Sequence, residues 1–103
     1  MSPVKLETNG HYLIVHFPDG VKHLDMSSYL KDWQSSDAKR LLNNIDNDLK
    51  NVYLEDGYAI SWNGYRFSID PEIFYKDAIK GYPKTKSVAS IRLITALKRL
   101  LNK

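Results

Sequence analysis

The chain predicts an α+β fold: an antiparallel β-meander of about three strands, a helix, three further strands including a Trp-Asn-Gly hairpin, a short helix and a C-terminal amphipathic helix. Three observations carry this expectation. Short β-branched and aromatic runs alternate with Gly-containing turn signals, an Asn-Gly pair leads through a strand into an Asp-Pro-Glu helix start, and the last residues repeat their apolar positions at helical spacing.

Residues 4–8 make the first strand candidate, and Asn9-Gly10 signals a tight turn into His11-Tyr12-Leu13-Ile14-Val15-His16-Phe17. That second run is apolar on both faces, the pattern of a central strand covered on both sides. Pro18-Asp19-Gly20 supplies the next turn and residues 21–26 the third strand. Pairing Phe17 with Val21 in this hairpin sets Val15 opposite His23 and leaves His16 on the other side of the sheet.

Ser27-Ser28 predicts one short capped turn carrying Tyr29, Leu30 and Trp33. Ser35-Ser36-Asp37 opens a clearer helix to about Asn44, with Ala38, Leu41, Leu42 and Ile45 as its buried stripe. The polar string 43–48 breaks that helix, residues 49–54 read as a fourth strand, and Glu55-Asp56-Gly57 as a turn.

Two β-rich runs, residues 58–62 and 65–69, flank Asn63-Gly64, a pair that tolerates the positive φ angles of a type I′ turn. A two-residue loop sets Trp62 opposite Tyr65, Ile60 opposite Phe67 and Tyr58 opposite Ile69, which gathers the apolar groups on one face. Trp62, Phe67 and Phe74 are expected in the core. Trp33, Tyr53, Tyr65 and Tyr82 would form a partner site if they were exposed together. Asp70 caps a helix with Pro71 at its first position and Glu72 at the positive end of its dipole. Ile73, Phe74, Ala78 and Ile79 recur at helical spacing, and Gly81 with Pro83 ends the helix.

Residues 82–86 read as a linker or extended arm, and Ser87 caps the longest helical pattern of the chain. Leu93, Ile94, Leu97, Leu100 and Leu101 gather on one side of it, with Arg92, Arg99 and Lys103 opposite. About 17 residues at 1.5 Å each give a rod of roughly 25 Å. The expected organisation is therefore a core over residues 1–80, with 81–103 as part of the same domain or as an interaction arm.

Composition narrows the function classes. Hydrophobic residues at 43% and charged residues at 26% are ordinary globular values. No apolar run approaches the roughly 18 residues of a membrane span, and the N-terminus lacks the apolar core of a secretory signal, so a cytoplasmic address without membrane association is expected. The chain has no cysteine, which excludes disulfides, thiol catalysis and cysteine-ligated zinc. Residues 1–80 hold nine Lys and Arg against all twelve Asp and Glu, whereas 81–103 hold six Lys and Arg and no acid. The net charge of +3 thus conceals a basic C-terminal segment.

The order of these features is similar to the small bacterial family catalogued as domain of unknown function twenty-four forty-two. The resemblance spans residues 4–75 and rests on Phe17-x-Asp19-Gly20, Asp25, Val52, Gly57-x-x-Ile60-x-Trp62-x-Gly64 and Asp70-Pro71-Glu72-x-x-Tyr75. It implies a β-meander, helix, β-hairpin architecture without established catalysis. It also implies a gene context resembling toxin-antitoxin pairs, in which some relatives carry an added helix-turn-helix domain.

No catalytic motif is legible. His11, His16 and His23 lack the helical spacing and flanking carboxylate of a zinc motif, and Asp19, Asp25 and Asp37 sit where turns, strand ends and caps place acids. Asp46-Asn47-Asp48 lacks the glycine and distal glutamate of a calcium loop. The expectation is a protein that is not an enzyme, needs no cofactor or metal, and binds a protein partner or itself as an antitoxin-like, inhibitor-like or regulatory subunit. Leu93, Leu97, Leu100, Leu101 and Tyr82 are its expected contact residues. The alternative is nucleic-acid binding through Lys84, Lys86, Arg92, Lys98, Arg99 and Lys103. Apolar burial at about 1.5 to 3 kcal/mol per Leu or Ile favours the first use of the C-terminal stretch.

Overall fold

The structure, a computed structural model, describes residues 1–84. It is an α+β fold with two antiparallel sheets. The first sheet contains β1 (Lys5–Asn9), β2 (Tyr12–Phe17), β3 (Gly20–Asp25) and a late two-residue strand, β7 (Ile79–Lys80), in the order β1-β2-β3-β7. The second contains β4 (Val52–Glu55), β5 (Ala59–Trp62) and β6 (Ser68–Ile69), in that order. Between the sheets in sequence lie α1 (Met26–Tyr29), α2 (Ser36–Asn43) and α3 (Ile45–Asp48), and α4 (Pro71–Asp77) joins β6 to β7.

As expected from its apolar faces, β2 is central between β1 and β3, with Leu13, Ile14 and Val15 all buried. The register of the β2–β3 hairpin differs from the expected one by a single residue. Phe17 pairs with Gly20 and Ile14 with His23, so Val15 opposes Lys22. The loop is Pro18-Asp19 alone, and Gly20 is already a strand residue. Because side chains alternate along a strand, this odd shift moves His23 onto the face that carries His16.

The helices follow their caps. Asp25 accepts from the Ser27 amide at 3.0 Å, so the first helix starts at Met26 and not at the serine pair. The Ser35 hydroxyl accepts from the Ala38 amide at 3.3 Å and begins α2 where expected. Ala38, Leu41 and Ile45 are buried and Leu42 is partly so. The polar string after α2 forms the one-turn α3 and not a loop, and a 3-10 turn over Leu49–Asn51 delays β4 to Val52.

In the second sheet Ile60 pairs with Ile69 and Ser61 with Ser68, two residues away from the expected register. Asn63 keeps a negative φ, Gly64 has φ 86°, and the Tyr65 amide donates to the Trp62 carbonyl at 3.1 Å. This is a type II arrangement, which does not match the strand twist as a type I′ turn does, and the loop lengthens through Tyr65 and Arg66. The left-handed pair is instead Asp56-Gly57, with φ of 54° and 71°. An even shift preserves the faces, so Ile60, Trp62, Phe67 and Ile69 are buried together.

One core gathers the inner faces of both sheets and the helices: Leu13, Val15, Phe17 and Leu24 from the first sheet, Trp62 and Ile69 from the second, with Met26, Leu41 and Phe74 from the helices. Asp70 accepts from the Glu72 amide at 2.9 Å and Pro71 opens α4 as expected. The helix is shorter than its apolar pattern suggests. It ends at Asp77; Ile73 is exposed, and Ile79 leaves the helix to pair with His23 in a seventh strand. Among the described residues no helix is long and apolar enough to cross a membrane.

Candidate interaction site

The face of the first sheet that points away from the core carries Tyr12, Ile14, His16, Val21, His23 and Ile79, as the alternation along β2, β3 and β7 requires. Residues 81–84 turn back over it. The Gly81 amide donates to the Val21 carbonyl at 2.7 Å, and Nδ1 of His23 meets the Gly81 carbonyl at 2.7 Å. A carbonyl only accepts, so Nδ1 of His23 is the donor in this bond. The edge of the largely buried His23 ring meets Tyr12 at 5.8 Å between centroids. Gly81 has φ 90°, a backbone that a side chain would strain, and this bend directs Tyr82 over the sheet.

Tyr82 covers the edge of His16, with ring centroids 5.9 Å apart and planes at 73°. Its hydroxyl is 3.5 Å from both Oε2 of Glu7 and Nε2 of His16, and those two atoms are themselves hydrogen-bonded. The hydrogen bond from His16 holds the Glu7 carboxyl below its ordinary range, and partial burial together with Glu7 raises the Tyr82 phenol. Glu7 and Tyr82 approach the same ring nitrogen. A proton relay would need them on opposite nitrogens, so the arrangement braces the strap 81–84 and has no Tyr-His-Glu relay geometry.

Beside this brace is a hollow of about 430 Å³ lined by Tyr12, His23, Asp25, Ile79, Lys80, Tyr82 and Lys84. Ile79 is 62% exposed and Tyr82 56% exposed at its rim, while Pro83, within the strap, is buried. The site therefore offers aromatic and aliphatic surface with one acid, Asp25, and two lysines, Lys80 and Lys84, around it.

Of the expected contact residues, Tyr82 lies at this site, and Leu93, Leu97, Leu100 and Leu101 lie outside the described residues. Of the expected phosphate-facing residues, Lys84 lines the hollow; Lys86, Arg92, Lys98, Arg99 and Lys103 lie outside the described residues. The four aromatics considered as one partner surface are not together. Trp33 packs edge-on against Phe67 at 5.0 Å, and Tyr65 bonds to Asp48 beneath the Arg40 guanidinium, which lies 3.9 Å above its ring. Tyr53 is exposed on β4, in the other sheet.

His11 meets Asp46 at 2.5 Å at the surface, apart from His16 and His23. Among the described residues no three His, Asp or Glu side chains converge as a metal site. Asp19 is engaged by the Tyr75 hydroxyl and Asp37 by the Arg66 amide. Sequence reading missed Tyr12, His23 and Ile79 as neighbours, because their meeting depends on the β2–β3 register and on a strand of two residues.

Comparison with known protein families, with characterised proteins and with solved structures gives no match.

Proposed function

We propose that this protein is a non-enzymatic binding module, acting in the cytoplasm as an antitoxin-like, inhibitor-like or regulatory subunit. Its partner is a protein offering an apolar surface rimmed by carboxylates. The observation that carries this reading is the exposed pair Ile79 and Tyr82 beside the 430 Å³ hollow, at the point where the chain continues into its basic, apolar-striped segment. Exposed apolar surface at Ile79 and Tyr82, followed in the sequence by the apolar residues Leu93, Leu97, Leu100 and Leu101, supplies the buried area of an interface. The six Lys and Arg of residues 81–103, without an acid among them, supply complementarity to an acidic rim.

Affinity capture with full-length wild-type, Ile79→Glu and Leu97→Glu baits tests this. A protein retained by wild type and lost by both variants, whose circular dichroism matches wild type, is the expected result. Identical retained proteins with all three baits, together with a monomeric mass by light scattering, would overturn it.

A second reading, nucleic-acid binding, is favoured by the same charge balance, with Lys84, Lys86, Arg92, Lys98, Arg99 and Lys103 against phosphates. It predicts duplex binding that weakens steeply with salt and vanishes in an Arg92→Glu, Arg99→Glu double variant. Absence of binding at low salt ends it.

A further inference from the structure

On the core side of the same sheet, Lys22 in β3 stands directly opposite Lys80 in β7. The Gly81 amide donates to the Val21 carbonyl, which makes Val21 and Gly81 the hydrogen-bonded pair. Lys22 and Lys80 are therefore the adjacent non-hydrogen-bonded pair, the kind in which opposed side chains approach most closely. Two like charges so placed destabilise a sheet unless something lies between them.

Their surroundings fix one of the two. The Lys22 ammonium donates to the Tyr75 carbonyl at 2.7 Å and sits 3.6 Å above the Tyr75 ring, which leaves it N–H donors beyond the one engaged by the carbonyl. Asp19, the one acid on the recess wall, is engaged by the Tyr75 hydroxyl. Lys80 has no hydrogen bond or ion pair with any described residue. The two lysines open on a recess of about 290 Å³ walled by Asp19, Val21, Tyr75 and Gly81.

We propose that this recess is a seat for one oxyanion group, a carboxylate or a phosphate, held between the ammonium groups of Lys22 and Lys80. Two cations and one engaged carboxylate leave a single excess positive charge, which one anion neutralises while relieving the cross-strand repulsion. Charge-assisted bonds from two ammonium groups that border one recess are the strong class of hydrogen bond. Lys80 borders both this recess and the outer-face hollow, whereas Lys22, Asp19 and Tyr75 line the recess and not the hollow, so anion shifts around Gly20 and Lys22 are read separately from partner binding at Ile79.

Amide NMR titration of the full-length protein with inorganic phosphate, and in parallel with acetate, at constant ionic strength held by sodium chloride, tests it. The expected result is saturable shifts confined to the amides around Gly20, Lys22, Lys80 and Gly81, with a millimolar dissociation constant. Lys80→Gln weakens that binding about tenfold or more, whereas Lys50→Gln, on the 3-10 turn before the second sheet, leaves it unchanged. Binding of both anions identifies a carboxylate-accepting seat, and binding of phosphate alone a phosphate seat. Shifts no larger than those from chloride, or shifts spread over all lysines and indifferent to Lys80→Gln, would overturn the proposal.

Discussion

The indole N–H of Trp62 donates to the carbonyl of Leu49 at 3.0 Å, inside the core. That bond ties β5 to the 3-10 turn before β4, next to the Asn63 amide's bond to the Asn51 carbonyl at 3.2 Å. Trp62 also stacks on Phe67, 5.6 Å away. Trp62→Phe keeps an aromatic ring but leaves the buried carbonyl without its donor. A loss of about 1 to 3 kcal/mol is expected from urea denaturation, with an unchanged denaturant slope.

Gly64 sits at φ 86° with no heavy atom within 4 Å of where a Cβ would stand. Gly64→Ala therefore meets no clash and incurs only the cost of a left-handed L-residue, about 1 to 2 kcal/mol. Thermal and urea unfolding should both register it. The Gly64 carbonyl also accepts from Arg40 at 2.8 Å, so Arg40→Ala should loosen the same loop, read as faster amide exchange at Tyr65 and Arg66.

The brace at Tyr82 predicts an acid-sensitive strap. The Glu7 carboxyl is held below its ordinary value of 4.5, chiefly by the hydrogen bond from His16. A carboxyl whose folded value is depressed stabilises the fold fully above pH 4.5, and that contribution is lost as pH falls through the folded value. Acidification below 4.5 should shift the amide and ring resonances of Tyr82, and Glu7→Gln should abolish that dependence. An unchanged Tyr82 titration in Glu7→Gln would contradict it.

Alkaline behaviour should be as distinctive. Burial, then a hydrogen bond to Asp77, raises the Tyr29 phenol; burial with Asp70 raises Tyr58, and burial with Asp48 raises Tyr65. The hydrogen bond to Asp19, then burial, raises Tyr75, and burial with Glu7 raises Tyr82. Groups whose folded values are raised stabilise the fold fully below the ordinary value of 10.0 and lose that contribution as pH rises through the folded values. Ultraviolet titration should show these five phenols ionising above pH 10.0, with Tyr29 among the last, and all at the ordinary value in denaturant.

The parts legible from sequence were those set by local chemistry. The caps Ser35 and Asp70, the central position of β2 and the buried Trp62, Phe67 and Phe74 follow from short-range patterns, and the structure has them. Registers were less legible, because turn geometry sets them. The even shift at Ile60 and Ile69 preserved the core, whereas the odd shift at Ile14 and His23 changed which histidines share a face. Ile79 looked helical because an apolar residue at the right spacing cannot distinguish the end of α4 from a two-residue strand. The candidate site was legible only in Tyr82 and Lys84, since Tyr12, His23 and Ile79 meet through tertiary pairing.

The most direct test is hydrogen exchange of the full-length protein alone and bound to the protein captured by wild type but not by Ile79→Glu. The binding-module account predicts added protection at His23, at residues 79–84 and in the stretch containing Leu93 and Leu97. Protection confined to β4 and the Asn63-Gly64 loop, with residues 79–84 unchanged, would contradict it.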